Sequence, residues 1–176
     1  MRRQNLRWSA LFFVLAAFLF GALMGFATGS CTGSTGSCSG TAGGDDIFGD
    51  NGDNNINGYG GNDHLVGNDG KDDIDAGGTG DDRLTGNTGF DNMRGGEGGD
   101  GDYDFSGGQG NDEIYAGDGD DIADDISQND ADLIEGNEGD DILNVNDGDT
   151  QDGVRGGGGH DYCAADSGLE KFNCEG

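Results

Sequence analysis

Ten oxygen-bearing side chains recur along this chain at a near-constant interval. Asp45, Asn54, Asp63, Asp72, Asp82, Asp91, Asp100 and Asp112 form the main series. Asp141 and Asp161 hold the same place in the later segments GNEGDDILN (136–144) and GGGGHDYCA (156–164). Carboxylates are hard oxygen donors. Together with backbone carbonyls they suit Ca²⁺, which takes about six to eight oxygen ligands. Asp also solvates turns, but Asn and Ser serve a turn equally well, and here Asp dominates one position. The spacing does not suit catalysis. No HExxH or GxSxG motif occurs, and no Ser/His/Asp set can be assembled. The histidines, His64 and His160, fall at variable positions and read as solvated surface residues. An EF-hand is also a poor match, because its loop needs a closing Glu and flanking helices.

The elements that must position these side chains are nine-residue units. They begin at Gly40, Gly49, Gly58, Gly67, Gly77, Gly86, Gly95 and Gly107, and the Asp series occupies the sixth column. The fourth column is Gly in every unit, from Gly43 to Gly110. The eighth holds Ile47, Ile56, Leu65, Ile74, Leu84, Met93, Asp102 and Ile114. Ala76 and the triplet Asp104-Phe105-Ser106 interrupt the phase. The glycines allow tight turns whose carbonyls point inward. The last three residues of a unit are then a short strand with its middle, apolar residue facing in. Two units should make one coil, with a strand on each side. Asp102 would be costly in the apolar column. A local bulge that lets Phe105 fill the gap is therefore expected.

The pattern G-G-x-G-x-D-x-U-x, with U apolar, resembles the RTX or hemolysin-type calcium-binding repeats. The resemblance covers residues 40–115 well and continues less regularly to Ala164. Over 116–135 the D-x-U beat persists but its spacing drifts, and ligand assignment stays open. The resemblance implies an all-β fold, a right-handed parallel β-roll. It also implies several Ca²⁺ ions held between loops two units apart, pairing Asp63 with Asp82, Asp72 with Asp91 and Asp82 with Asp100. Enzymes carrying such repeats keep their chemistry in a separate domain, for which this chain has no room. Some rolls of this type bind ice, but the third and fifth columns here form no Thr or Asn ladder. A non-catalytic structural or surface module is expected, and adhesion remains an open use of it.

Composition and charge agree with a fold completed by metal. Only 31% of residues are hydrophobic, and there are 40 Gly and no Pro. All 36 acidic residues lie from Asp45 onward, with five basic ones, a net charge of −31 over that stretch. Such a chain repels itself unless cations neutralise it. The same field disfavours nucleic acid and anionic membrane surfaces as partners. Any protein partner is unspecified.

Arg2, Arg3 and Arg7 precede the apolar run SALFFVLAAFLFGALMGFA, which reads as a secretory signal or an uncleaved anchor over 1–27. The expected location is secreted, or membrane-anchored with the repeats outside. Residues 28–39 read as a Gly/Ser/Thr linker, 40–164 as the repeat body and 165–176 as a C-terminal cap. Four cysteines in an exported chain suggest disulfides. Proximity favours Cys31–Cys38 and Cys163–Cys174, while the absence of CxxC disfavours zinc.

Overall fold

The structure is a computed structural model that describes residues 28–31, 36–99, 105–126, 130–148, 150–169 and 171–175. The apolar segment 1–27 and the residues Asp100 and Asp102 lie outside the described residues.

Every strand is short, because each unit leaves only a few extended residues between glycine turns. The odd-numbered strands build one parallel sheet: β1 (Thr28–Ser30), β3 (Asp46–Phe48), β5 (His64–Gly70), β7 (Arg83–Gly89), β9 (Phe105–Gln109), β11 (Ile122–Asp124), β13 (Ile142–Val145) and β15 (Tyr162–Ala165). The even-numbered strands build the other: β2 (Ser37–Ser39), β4 (Asn55–Tyr59), β6 (Asp73–Gly77), β8 (Asn92–Glu97), β10 (Glu113–Asp118), β12 (Leu133–Glu138), β14 (Gly153–Gly158) and β16 (Lys171–Phe172). Successive units thus alternate between two sheets, and one coil is one strand of each. This is a parallel β-roll.

The core is one apolar side chain per strand. In the first sheet the register stacks Ile47, Leu65, Leu84, Phe105, Ala123, Leu143 and Cys163. In the second it stacks Ile56, Ile74, Met93, Ile114, Ile134 and Val154. These side chains are buried. A second inward position, two residues further on, is kept small by Gly67, Ala76, Gly86 or Ala116. One large apolar residue per unit is little to set against the entropy of ordering the whole unit.

Phe105 stands in the apolar column in place of Asp102. It is 0% exposed and registers with Leu84 on one side and Ala123 on the other. An aromatic ring fills a dry column that a carboxylate could occupy only at a large desolvation cost. Ala76 is not the inserted residue. It takes the small inward position, and the extra residue is accommodated in the turn that follows, where Gly77 adopts φ +100° and Thr79 bridges to Glu97.

The linker reading of 28–39 differs from the structure. Thr28–Ser30 pairs with β3, and Ser37–Ser39 pairs with β4 in register Cys38↔Ile56. These strands are tied by the Cys31–Cys38 disulfide, whose Cα atoms are 5.5 Å apart. A Gly/Ser-rich stretch can be recruited in this way because an open sheet edge supplies backbone partners whatever the side chains. At the other end Cys163 and Cys174 are bonded, with Cα atoms 5.7 Å apart, and Lys171–Phe172 pairs with β14.

Candidate metal centre

Each sixth-column residue immediately precedes a strand, so stacking the strands stacks these side chains into two ladders along the roll. Asp45, Asp63 and Asp82 lie on one ladder, and Asn54, Asp72, Asp91 and Asp112 lie on the other. All are buried. Their contacts follow one rule. The backbone N–H of Asp45 donates to Asp63 Oδ1 at 2.8 Å, and that of Asp63 donates to Asp82 Oδ1 at 2.8 Å. On the opposite ladder the N–H groups of Asn54, Asp72 and Asp91 donate to Oδ1 of Asp72, Asp91 and Asp112. The pairs expected from two-unit spacing, Asp63 with Asp82 and Asp72 with Asp91, are therefore neighbours. The partner expected for Asp82 on its far side, Asp100, is outside the described residues.

Three ladder members were not among the expected residues: Asp121, Asp132 and Asp152. Asp112 N–H donates to Asp132 Oδ1, Asp132 N–H to Asp152 Oδ1, Asp121 N–H to Asp141 Oδ1 and Asp141 N–H to Asp161 Oδ1. Each of these four contacts spans 20 residues, against 18 for Asp45–Asp63 and 19 for Asp63–Asp82. The degenerate stretch is thus a regular roll with a longer coil. Units alternate between nine and eleven residues, as from Asp112 to Asp121 and from Asp121 to Asp132. The D-x-U beats were visible in sequence. Reading them by coil rather than by unit would have found the period.

In seven of these carboxylates one oxygen is spoken for and the other is not, whereas Asp45 Oδ2 accepts from Thr41. The Oδ2 atoms of Asp63, Asp72, Asp91, Asp112, Asp132, Asp141 and Asp161 are buried without a hydrogen-bond partner. A group in that condition costs free energy unless something compensates it. Several turns keep a glycine beside this atom. A Cβ placed on Gly58, Gly67, Gly86 or Gly136 would collide with Oδ2 of Asp63, Asp72, Asp91 or Asp141.

The electrostatics express the same shortage of positive charge. Burial is the largest cause of a raised pKa at Asp63 and Asp91 (both to about 7), Asp132 (about 7) and Asp112 and Asp141 (both about 6). The backbone N–H bond to Oδ1 works in the opposite direction, and neighbouring carboxylates add to the rise. Asp72 and Asp82 are raised for the same leading reason.

Among the described residues, Asp112, Asp125 and Asp132 bring three carboxylates together, each with an oxygen within 4.8 Å of the others'. Asp125 follows β11 at the small inward position that other coils fill with Gly, Ala or Val. Burial and then the Asp132 and Asp112 charges push it up to about 8. Hard oxygen donors, orphaned buried oxygens and a cradle kept open by glycine together fit a hard cation.

Comparison with known proteins agrees. The family model for the RTX calcium-binding nonapeptide repeat matches four times, at residues 39–74, 76–101, 97–124 and 128–151, well over half of the chain. No curated protein and no solved structure matches the chain.

Proposed function

From the premise that this chain belongs to the family of RTX calcium-binding nonapeptide repeats, we propose that it is an exported module whose β-roll folds as Ca²⁺ fills the gaps between stacked turns. As a member of that family it is a non-catalytic, repeat-based structural module, consistent with calcium-dependent folding. The observation that supports the calcium reading is the run of buried carboxylates, Asp72, Asp91 and Asp112 among them, with Oδ1 on a neighbouring N–H and Oδ2 unpartnered. When bound, the ion supplies the positive charge these oxygens lack.

The ligands in this reading are Asp45, Asn54, Asp63, Asp72, Asp82, Asp91, Asp100, Asp112, Asp141 and Asp161. Asp121, Asp132 and Asp152 join them through the longer coil. Several ions are held, each between turns two units apart, so binding free energy becomes folding free energy. Extracellular calcium modules commonly bind with dissociation constants of about 10⁻⁴–10⁻³ M. Such a chain stays unfolded where calcium is scarce and folds outside the cell. The basic-then-apolar segment 1–27 would direct export, the repeat body over 40–164 would bind calcium, and residues 165–176 would close the last coil. Two disulfides suit an oxidising exterior. The acidic charge disfavours nucleic acid and anionic membrane surfaces as partners. Surface attachment is one use such a scaffold could serve.

The test is a Ca²⁺ titration of the chain followed by far-UV circular dichroism, with Mg²⁺ as the control. The expected result is a coil-to-strand transition with Ca²⁺ and little response to Mg²⁺, which demands tight octahedral geometry and dehydrates reluctantly. A fully folded roll in chelator at neutral pH would overturn the proposal.

A further inference from the structure

The regular turns bring together two sixth-column carboxylates from adjacent coils. At one place among the described residues there is a third. Asp125 follows Asp121 by four positions, as Gly67 follows Asp63, Gly86 follows Asp82 and Val145 follows Asp141. Those residues are small or apolar, and all are buried. Asp125 points the same way and is 2% exposed, with Asp112 at 1% and Asp132 at 3%. A carboxylate therefore occupies a position that packs against the core elsewhere.

All three residues present an Oδ2 atom that is buried without a hydrogen-bond partner. Asp112 and Asp132 commit Oδ1 to the ladder, accepting from the N–H groups of Asp91 and Asp112. Asp125 Oδ1 accepts the N–H of Gly108 at a longer 3.4 Å. The space between them is held open by Gly107. A Cβ there would overlap Oδ2 of both Asp125 and Asp112. Asp130 adds to the repulsion on each of the three. Three buried, mutually repelling carboxylates with converging Oδ2 atoms are relieved at neutral pH by a bound cation.

We propose that Asp112, Asp125 and Asp132 form a three-carboxylate Ca²⁺ centre distinct from the two-carboxylate turns, and that it is the tightest site of the roll and fills first. The inference rests on the calcium reading above and adds an order of loading to it. Affinity in oxygen-ligand calcium sites is tuned by the number of charged ligands. A third carboxylate therefore separates this site from its neighbours. Its position has a structural consequence. The apolar rung beside it is Ala123, the smallest in its column, and the adjoining turn is one of the long ones. An ion bound here ties β9 through β12 together where apolar packing contributes least.

The experiment is direct calcium binding by the full chain, read by competition with a chromophoric chelator so that successive steps are resolved. The variants are Asp125→Gly, which installs the residue used in other coils, and Asp125→Asn, which keeps the shape and removes the charge. Asp72→Asn alters a two-carboxylate turn for comparison. Both Asp125 variants should weaken the tightest step at least about tenfold while the weaker steps persist. Both should still reach the wild-type circular dichroism spectrum at saturating Ca²⁺. Asp72→Asn should spare the tightest step and remove a weaker one. A wild type that binds Ca²⁺ with a tightest step untouched by both Asp125 variants, or one removed by Asp72→Asn, overturns this inference and leaves the calcium reading standing. A wild type that binds no Ca²⁺ overturns both.

Discussion

Asp91→Asn should act in opposite directions with and without calcium. Asp91 is 0% exposed, its Oδ1 accepts the Asp72 N–H at 2.9 Å, and its Oδ2 is unpartnered. Asparagine keeps an oxygen for the Asp72 N–H, so the backbone contact between coils survives. What the substitution removes is charge. Burial lifts the Asp91 carboxyl from 3.8 to about 7. At ~1.4 kcal/mol per pH unit, holding it ionised in the metal-free roll costs about 4 kcal/mol. The variant is relieved of that cost. In chelator it should therefore fold at a higher pH than wild type as the solution is acidified. In calcium it lacks a charged ligand, so its calcium midpoint should rise about tenfold, equivalent to ~1.4 kcal/mol. Asp81→Asn removes the same formal charge from an exposed position. It should move the calcium midpoint little, or lower it slightly by easing repulsion. The far-UV circular dichroism midpoint, followed against pH in chelator and against Ca²⁺ at fixed pH, reads both effects. If Asp91→Asn shifts both midpoints in the same sense, stabilising or destabilising, Asp91 is a structural residue and the ladder is not a calcium device.

Acid should partly replace calcium. The raised carboxyls bind protons more tightly in the roll than in the unfolded chain, so metal-free stability is fully present below about pH 4 and lost as pH rises through about 6 to 8; an acid titration in chelator monitored by circular dichroism should show strand forming over that window, while Ca²⁺ affinity falls as protons compete. Phe105→Ala should cost about 3–5 kcal/mol, because it empties the largest rung of the core between Leu84 and Ala123; urea unfolding at saturating Ca²⁺ measures it, and a loss below about 1 kcal/mol would mean the rung is not packed. Gly110→Ala should destabilise the calcium-loaded roll, since Gly110 sits at φ +128° and its added Cβ would strike the Gly89 carbonyl; an unchanged urea midpoint would contradict the stacking. Removing the Cys163–Cys174 bridge should raise hydrogen exchange in β15 and β16 and leave the strands from β4 to β8 protected, so uniform loss of protection would argue against a local closure.

Much of this protein is legible in its sequence because a solenoid repeats one local solution. The D-x-U beat places an oxygen donor just before each strand and an apolar side chain within it. Asp63 with Asp82 and Asp72 with Asp91 become neighbours once two units make a coil. Phe105 could be assigned to the core because a carboxylate at Asp102 would be too costly to bury. Other features depend on how coils stack. A turn lengthened by two residues looks like lost periodicity along the chain, yet it leaves the ladder in register when the next coil carries the same lengthening. That is why Asp121, Asp132 and Asp152 emerged only in three dimensions. The residues around Cys31 and Cys38 carry no strand signal of their own and extend the sheets because an open edge offers them backbone hydrogen bonds. Asp125 reads as one more acidic residue in an acidic stretch. Only the stacking of β9 to β12 turns it inward beside Asp112 and Asp132, because Asp112 comes from the preceding coil and Asp132 from the far side of a turn, and local sequence does not encode which charges will share a buried space.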